Sequence, residues 1–194
     1  MSRLEEAFEL FDNYNKRSPE HILWDGVDYP AEYFYAIKLH DWVTKLSPDA
    51  DESLLLASRC QHIGRWEIAR KSYPDGRVGY LKWRSDLSKY HAGIAAEILS
   101  EVGYDEETIT RVRHIVLKQR LKADPDVQTM ENALCLVFLQ YQYDDLIAKM
   151  TEEKMIDILR KTWGKMSAPG QEAALSLPYS EQGRDLILRA LKED

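Results

Sequence analysis

The stretch Ala133-Leu134-Cys135-Leu136-Val137-Phe138-Leu139 is the longest uninterrupted apolar run in the chain. Asp124-Pro125 interrupts the chain ahead of it, and the residues that follow are compatible with one continuous helix. A helix that is apolar on every side is buried on every side. The run therefore predicts a central helix that is almost fully buried over residues 133–139. At seven residues it is far too short to span a bilayer, which takes about 20.

Apolar residues at helical spacing continue on both sides of this run. Asp51 is placed to cap a third helix and Gly103 to end a fourth in the left-handed conformation. No useful length of chain has strand periodicity, so residues 13–30 and 67–78 are predicted as connections. Trp24 and Tyr29 in the first connection are expected to pack on the core. The predicted helices cover roughly residues 4–11, 31–46, 51–63, 79–102, 105–117, 151–163 and 180–191, together with the helix that holds residues 133–139.

These segments predict an all-α single domain, residues 1–194, of about seven to eight helices. Residues 31–145 would form its core, and the helices of 151–194 would pack on that core. The net charge of −7 argues against wholesale binding of nucleic acid or an anionic membrane. Cys60 and Cys135 are predicted to be buried free thiols. The acidic N-terminus lacks the apolar run of a signal peptide, so we expect a cytoplasmic protein. The sequence does not predict its oligomeric state.

A polar stretch follows the apolar run Leu54–Ala57, and it reads Gln61-His62-Ile63-Gly64-Arg65-Trp66. It places a glutamine and a histidine beside an arginine and an indole at the predicted end of a buried helix. A buried helix that ends in polar, titratable residues is a common way to carry a functional site. The stretch is therefore the first candidate for the site of this protein.

The segment from Arg59 to Arg84 is strongly basic, with an excess of five positive charges in an acidic chain. Guanidinium groups bind phosphate through two parallel hydrogen bonds, and aromatic rings stack on bases or on arginine. The segment predicts binding of a small anionic, phosphorylated ligand next to His62. The alternative is a solvated basic loop that pairs with acidic helices such as the one beginning at residues 105–107. The basic residues are Arg59, Arg65, Arg70, Lys71, Arg77, Lys82 and Arg84, and the interleaved aromatic residues are Trp66, Tyr73, Tyr80 and Trp83.

The order of polar groups along residues 31–145 resembles the HD phosphohydrolase superfamily. His40 matches its early histidine, and residues 61–65 stand where that family has His-Asp-Ile-Gly-Lys. His91 matches its next histidine helix, and Glu131 lies near its late aspartate. The resemblance implies an all-α, HD-domain-like core that holds one or two metal ions. The sequence departs from that pattern, with Gln-His in place of His-Asp and no aspartate at the late position.

A closer match, over nearly the whole chain, is to an uncharacterised domain family. Some eukaryotic members of that family carry a glutamyl-tRNA-synthetase-like label. The chain has no nucleotide-binding Rossmann pattern that would support the label. The matching residues are Gln61-His62-Ile63, Arg65-Trp66, Arg70, Tyr73-Pro74, Gly79-Tyr80, Trp83-Arg84, His91 and Leu136-Val137-Phe138-Leu139.

Two functional hypotheses follow from the resemblance and the basic segment. In the first, the protein is a metal-dependent phosphohydrolase, or a binder of a nucleotide-like ligand. Gln61 and His62 would be catalytic, and Gln61 would orient a water or a substrate oxygen. A divalent Zn, Fe, Mn or Ni ion would be held by His40, His62, His91 and Glu131. The ligand would be held by Arg65, Trp66, Arg70, Tyr73, Trp83 and Arg84.

In the second hypothesis, the protein is a non-catalytic module that binds an anionic partner such as RNA. The histidines and Glu131 would then be satisfied polar residues at helix interfaces. The metal hypothesis requires His40, His62 and His91 to converge within about 10 Å, because histidine–zinc bonds are about 2.1 Å long.

Overall fold

The computed structural model describes residues 2–192 and is essentially all-α, as predicted. Within these residues it has ten α-helices and one short β-hairpin, so the predicted count of seven to eight helices was too low. The hairpin strands are β1 (His21–Trp24) and β2 (Val27–Pro30). The helices are α1 (Arg3–Asn15), α2 (Ala31–Leu46), α3 (Glu52–Cys60), α4 (Gly76–Val102), α5 (Glu106–Val116), α6 (Pro125–Tyr141), α7 (Tyr143–Ile147), α8 (Glu152–Lys165), α9 (Ala168–Leu175) and α10 (Glu181–Leu191).

Local capping explains where these helices begin and end. The Asp51 carboxylate accepts from the Leu54 amide at 2.8 Å and starts α3, as predicted. Asp124 accepts from two amides of the first turn of α6, where Pro125 lacks an amide to satisfy. Gly103, with φ of 88°, ends α4 in the left-handed conformation. The element boundaries are thus largely set by residues within three or four positions of each end.

Helix α6 is the centre of the fold. It contacts α2, α5, α8 and α9, and Leu136 within it is 0% exposed. The predicted burial of residues 133–139 is confirmed except at Leu134 and Phe138, which are half-buried. Both of these side chains line a cavity beside α6. The run is apolar on every side because one face of α6 packs on other helices and the other face lines this cavity.

The hairpin and two short helices were not predicted. Asp25 and Gly26 both have positive φ, which is the geometry of a two-residue hairpin turn. Asp-Gly is a strong signal for such a turn, but the flanking strands are only four residues long. Trp24 and Tyr29 pack against Phe34 of α2, as predicted. The missed helices, α7 and α9, are also short and carry little periodic signal.

The C-terminal helices pack beside the central helix. Helix α9 lies so close to α6 that a Cβ on Gly170 would come within 2.7 Å of the Asn132 side chain. Asn132 in turn donates to the Ser167 hydroxyl and accepts from the Ser167 amide, which ties α6 to the start of α9. Helix α10 packs on α8. No helix between residues 2 and 192 is both long enough and apolar enough to cross a bilayer.

Candidate functional site

The chain changes direction sharply after α3, and this turn builds one wall of the site. Gly64 has φ of 69°, a conformation that costs a residue with a Cβ about 1–2 kcal/mol. There is also no room for a side chain here, because a Cβ added to Gly64 would lie 2.9 Å from the Ile94 side chain. Glycine therefore lets the chain turn between His62 and Arg65 so that both side chains face the same space.

That space is a central cavity of about 340 Å³ between the end of α3 and helices α4, α6 and α8. The turn contributes Gln61, His62 and Arg65, and one face of α4 contributes residues 80–91 at helical spacing. Helix α6 contributes Glu131 together with Leu134, Cys135 and Phe138. Both predicted catalytic residues thus face this cavity.

His91 presents a fixed hydrogen-bond acceptor. The residue is 2% exposed, and its Nδ1 lies 2.6 Å from the Ile63 carbonyl oxygen. Because a carbonyl can only accept, Nδ1 carries the proton and Nε2 keeps its lone pair in the neutral ring. Nε2 is buried and has no hydrogen-bond partner among the described residues.

Gln61 presents a second fixed acceptor in the same way. Its Nε2 donates to the Val116 carbonyl oxygen at 2.9 Å, which sets the orientation of the amide. Its Oε1 is buried and without a hydrogen-bond partner within residues 2–192. Gln61 is 3% exposed and borders both the cavity and a small neighbouring chamber of about 10 Å³.

The two cavity histidines are neutral near pH 7. Burial lowers the pKa of His91 to about 4, and it lowers the pKa of His62 well below its ordinary value. The positive charges of Arg65, Lys118 and Arg84 lower the pKa of His62 further. The His62 and His91 rings lie 5.7 Å apart between centroids, so the predicted convergence is confirmed for this pair.

The cavity is strongly cationic. Arg65, Arg84, Lys118 and Lys165 line it, and Glu131 is the one carboxylate among its described lining residues. Lys118 Nζ lies 2.6 Å from a Glu131 oxygen, and Lys165 Nζ lies 4.0 Å from the other. Arg65 and Arg84 have no carboxylate within salt-bridge distance in the described part of the chain. Their charges remain available to a ligand.

Sequence reasoning did not find Lys118 or Lys165. Lys118 follows α5 with φ of 54°, and Lys122 in the same loop has φ of 76°. Positive φ at a residue with a Cβ costs about 1 kcal/mol or more and is held in place by the surrounding structure. Lys122 donates to the Gly164 and Lys165 carbonyls at the end of α8, which joins this loop to the helix that carries Lys165. No local sequence pattern marks either lysine as part of the site.

Aromatic rings hold the two arginines in place. The indole of Trp83 donates to the Ile68 carbonyl oxygen at 2.9 Å, which fixes the ring. The Arg65 guanidinium lies 5.8 Å from the Trp83 ring centre, and that of Arg84 lies 5.8 Å from the Tyr80 ring centre. Cation–π contacts of this kind orient the guanidinium without neutralising it.

The structure brings Arg65, Trp83 and Arg84 to the cavity but not the other predicted ligand-binding residues. Arg70 donates to the Tyr73 carbonyl at 3.0 Å and so closes its own loop. The Tyr73 hydroxyl donates to Asp86, and the Trp66 ring lies 6.0 Å from that of Tyr14. These three residues thus lie outside the cavity lining, and their role in ligand binding stays a prediction.

The predicted metal-binding residues are only partly brought together. His40 is absent from the cavity lining, because its Nδ1 contacts the Ser58 hydroxyl at 2.8 Å and its ring packs on Phe8. No three His, Cys, Asp or Glu side chains are grouped as a metal ion requires within residues 2–192. Glu131, the carboxylate in the set, is already neutralised by lysines. The arrangement does not fit the four-residue set, so metal binding stays a prediction and no step is derived through a metal.

Residues 5–187 match a protein family described as a domain of unknown function, DUF4202. The chain belongs to this family. The matched residues include every side chain that lines the cavity. No curated protein and no solved structure is similar enough to this DUF4202 chain to be matched to it. The match confirms the predicted resemblance to an uncharacterised domain family, and the resemblance to HD phosphohydrolases stays a prediction.

Proposed function

We propose that this DUF4202 protein binds a small phosphorylated, nucleotide-like ligand in the central cavity. The observation that carries the proposal is the charge of the cavity wall, where four cationic side chains face one carboxylate in a chain of net charge −7. Clustering like charges is unfavourable unless an opposite charge binds among them. An anion is the ligand chemistry that compensates this cluster.

The size and lining of the cavity favour a small molecule. A volume of about 340 Å³ lies at the lower end of the range of small-molecule sites, roughly 300–1,000 Å³. Arginine forms paired hydrogen bonds with phosphate, and Arg65 and Arg84 are both oriented by aromatic rings. Trp83, Tyr80 and Phe138 add aromatic surface beside them, which suits a ligand with a planar ring.

Hydrolysis of the bound ligand is a further part of the proposal. A neutral imidazole is the form that accepts a proton, and both His62 and His91 are neutral near pH 7. No hydrogen bond joins the His62 ring to any side chain or backbone group of the described residues. We therefore assign to His62 the role of proton acceptor for a water that attacks phosphorus, while the P–O bond to the ester oxygen breaks and that oxygen takes up a proton from solvent.

RNA binding by the basic segment is the weaker alternative. Arg70, Tyr73 and Trp66, which would grip or stack on a single strand, are engaged in contacts within the protein. The cationic residues that remain free of carboxylates, Arg65 and Arg84, both line one cavity. A polymer would need them along an open groove.

Replacing Arg65 by Ala is expected to weaken phosphate-ligand binding about tenfold or more, since a charge-assisted hydrogen bond contributes about 1.5–3 kcal/mol. Arg70→Ala is the matched control, because it removes the same charge from the same segment but outside the cavity. The measurement is calorimetric titration of inorganic phosphate, nucleoside monophosphates and a short RNA into wild type and both variants.

The affinity of wild type is also expected to fall as salt rises, because charge neutralisation contributes much of the binding. Equal weakening by Arg65→Ala and Arg70→Ala would contradict a cavity site. Tighter binding of RNA than of any small phosphate would favour the alternative function.

Glu131→Gln is expected to shift anion affinity in the opposite direction. Removing this carboxylate frees the Lys118 and Lys165 charges and takes a negative charge off the cavity wall. At an effective dielectric constant of about 20, one charge roughly 8–16 Å away changes the binding free energy by about 1–2 kcal/mol. We expect affinity for phosphate to rise several-fold while Lys118→Ala lowers it, both measured by the same titration. A fall in affinity in both variants would show that Glu131 holds the ligand itself.

A further inference from the structure

We infer that His91 and Gln61 select the ligand class, so that the cavity takes a phosphate ester whose other part carries an N–H or O–H donor within the cavity. This inference rests on the proposed function and names the chemistry of the part of the ligand that the cationic residues do not bind. It divides the cavity into a region that binds the anion and a region that recognises donors.

The donor-recognising region consists of two acceptors that the fold itself has oriented. His91 Nδ1 donates to the Ile63 carbonyl, so Nε2 can only accept from a ligand. Gln61 Nε2 donates to the Val116 carbonyl, so Oε1 can only accept as well. Both residues line the cavity, and both acceptor atoms are buried without a partner among residues 2–192.

Most buried polar atoms in proteins are hydrogen-bonded, so each of these two acceptors requires a donor from water or from a ligand. They cannot be satisfied by a fully ionised phosphate ester group, which has no hydrogen to donate and whose oxygens are repelled by their lone pairs. They cannot be satisfied by each other for the same reason. Either water or a donor group of a ligand can hydrogen-bond to these two acceptor atoms.

The same geometry explains how the cavity would discriminate. A site built to hydrogen-bond a donor rejects a ligand that lacks it, because the buried acceptor is then left unpaired. A site lined only by cations and apolar groups would accept any phosphate ester of the right size. The acceptors therefore favour nucleotides and sugar phosphates over phosphate esters of plain alcohols.

Two parts of a nucleotide could supply the donor, namely the exocyclic amine of the base and the hydroxyls of the ribose. Matched ligand pairs separate them. Adenosine 5′-monophosphate against purine riboside 5′-monophosphate removes only the amine. Ribose 5-phosphate against 2-deoxyribose 5-phosphate removes one hydroxyl and needs no base. Each pair keeps the same phosphate, so the two members bind the cationic region alike.

The experiment is calorimetric titration of both pairs into wild type, His91→Leu and Gln61→Met, at low salt. In wild type we expect at least one pair to differ about tenfold or more in affinity in favour of the donor-bearing member. In His91→Leu or Gln61→Met, whichever removes the acceptor that binds this donor, the ratio of the two affinities should fall to about twofold or less. The ratio is the informative quantity, because any general damage to the fold weakens both members alike.

His91→Gln is the rescue variant, since an amide can donate to the Ile63 carbonyl and still offer an oxygen to the ligand. It should restore part of the ratio lost in His91→Leu. Equal affinities within both pairs in wild type would overturn the inference while leaving phosphate binding intact. A ratio that persists in His91→Leu and in Gln61→Met would assign the discrimination to other residues and also overturn it. Failure of every phosphate ester to bind would overturn the inference and the proposed function together.

Discussion

Leu136→Asp is expected to abolish folding. Leu136 is 0% exposed at the centre of α6, which contacts α2, α3, α5, α7, α8 and α9. Losing a buried leucine costs about 2–5 kcal/mol, and an uncompensated buried charge costs several kcal/mol more. Together these costs reach the whole stability of a typical domain, about 5–15 kcal/mol. The variant should lose its helical circular dichroism signal and its thermal transition.

Leu81→Asp is the control for this change. Leu81 lies in the first turns of α4 and is 53% exposed, so the same substitution there buries no charge. Its melting temperature should stay within a few degrees of wild type, because exposed substitutions usually change stability by about 0.5 kcal/mol or less. A soluble Leu136→Asp protein with an unchanged transition would disprove the central role of α6.

The unfolding free energy is expected to fall by about 3 kcal/mol between pH 6.5 and pH 4 because of His91 alone. Burial holds the pKa of His91 near 4 in the folded protein, against 6.5 when it is exposed. Between these values the unfolded chain binds the proton more strongly, so stability is complete above pH 6.5 and is lost as the pH falls. His62, whose pKa is also lowered by burial, acts in the same direction.

Glu32 opposes this loss over part of the same range. Burial raises the pKa of Glu32 to about 7 from 4.5, and the nearby Arg65 charge limits the rise. The folded protein therefore binds this proton more strongly, so the contribution of Glu32 is complete below pH 4.5 and is lost as the pH rises to 7. Glu32 lies beside Gln61 and His62 in the small chamber next to the cavity. Glu32 and the cavity histidines thus have opposite effects on stability as the pH falls.

Urea denaturation at pH steps from 4 to 7 separates the two contributions. Glu32→Gln should steepen the loss of stability on acidification, because it removes the opposing contribution. His91→Gln should flatten it, because it removes the imidazole whose pKa burial lowers. A His91→Gln profile that parallels wild type would show that His91 does not titrate in this range.

Much of the fold could be predicted from the sequence because its signals are local. The Asp51 and Gly103 caps act on residues three or four positions away, and the apolar run of α6 identifies a buried helix from composition alone. The hairpin also had a local signal, Asp25-Gly26, but its strands are too short for their periodicity to show.

The sequence also located one wall of the site. Gln61, His62 and Arg65 were found because they follow one another closely at the end of a buried helix. Residues so close in sequence remain close together in the folded protein. His91 was found through its place on the inward face of α4 and through the HD resemblance, whose metal set the structure does not assemble around it.

The sequence by itself determined the helical class, most of the helix ends, the central helix and the polar turn that follows α3. Only the tertiary structure decided which charges share the cavity. Lys118 and Lys165 meet at Glu131 because α5, α6 and α8 pack together across more than 40 residues of chain, while Arg70 and Tyr73 turn to their own loop. The order of basic residues in a sequence does not show which way their side chains point. A basic run therefore looks the same whether its side chains bind a ligand or the neighbouring backbone.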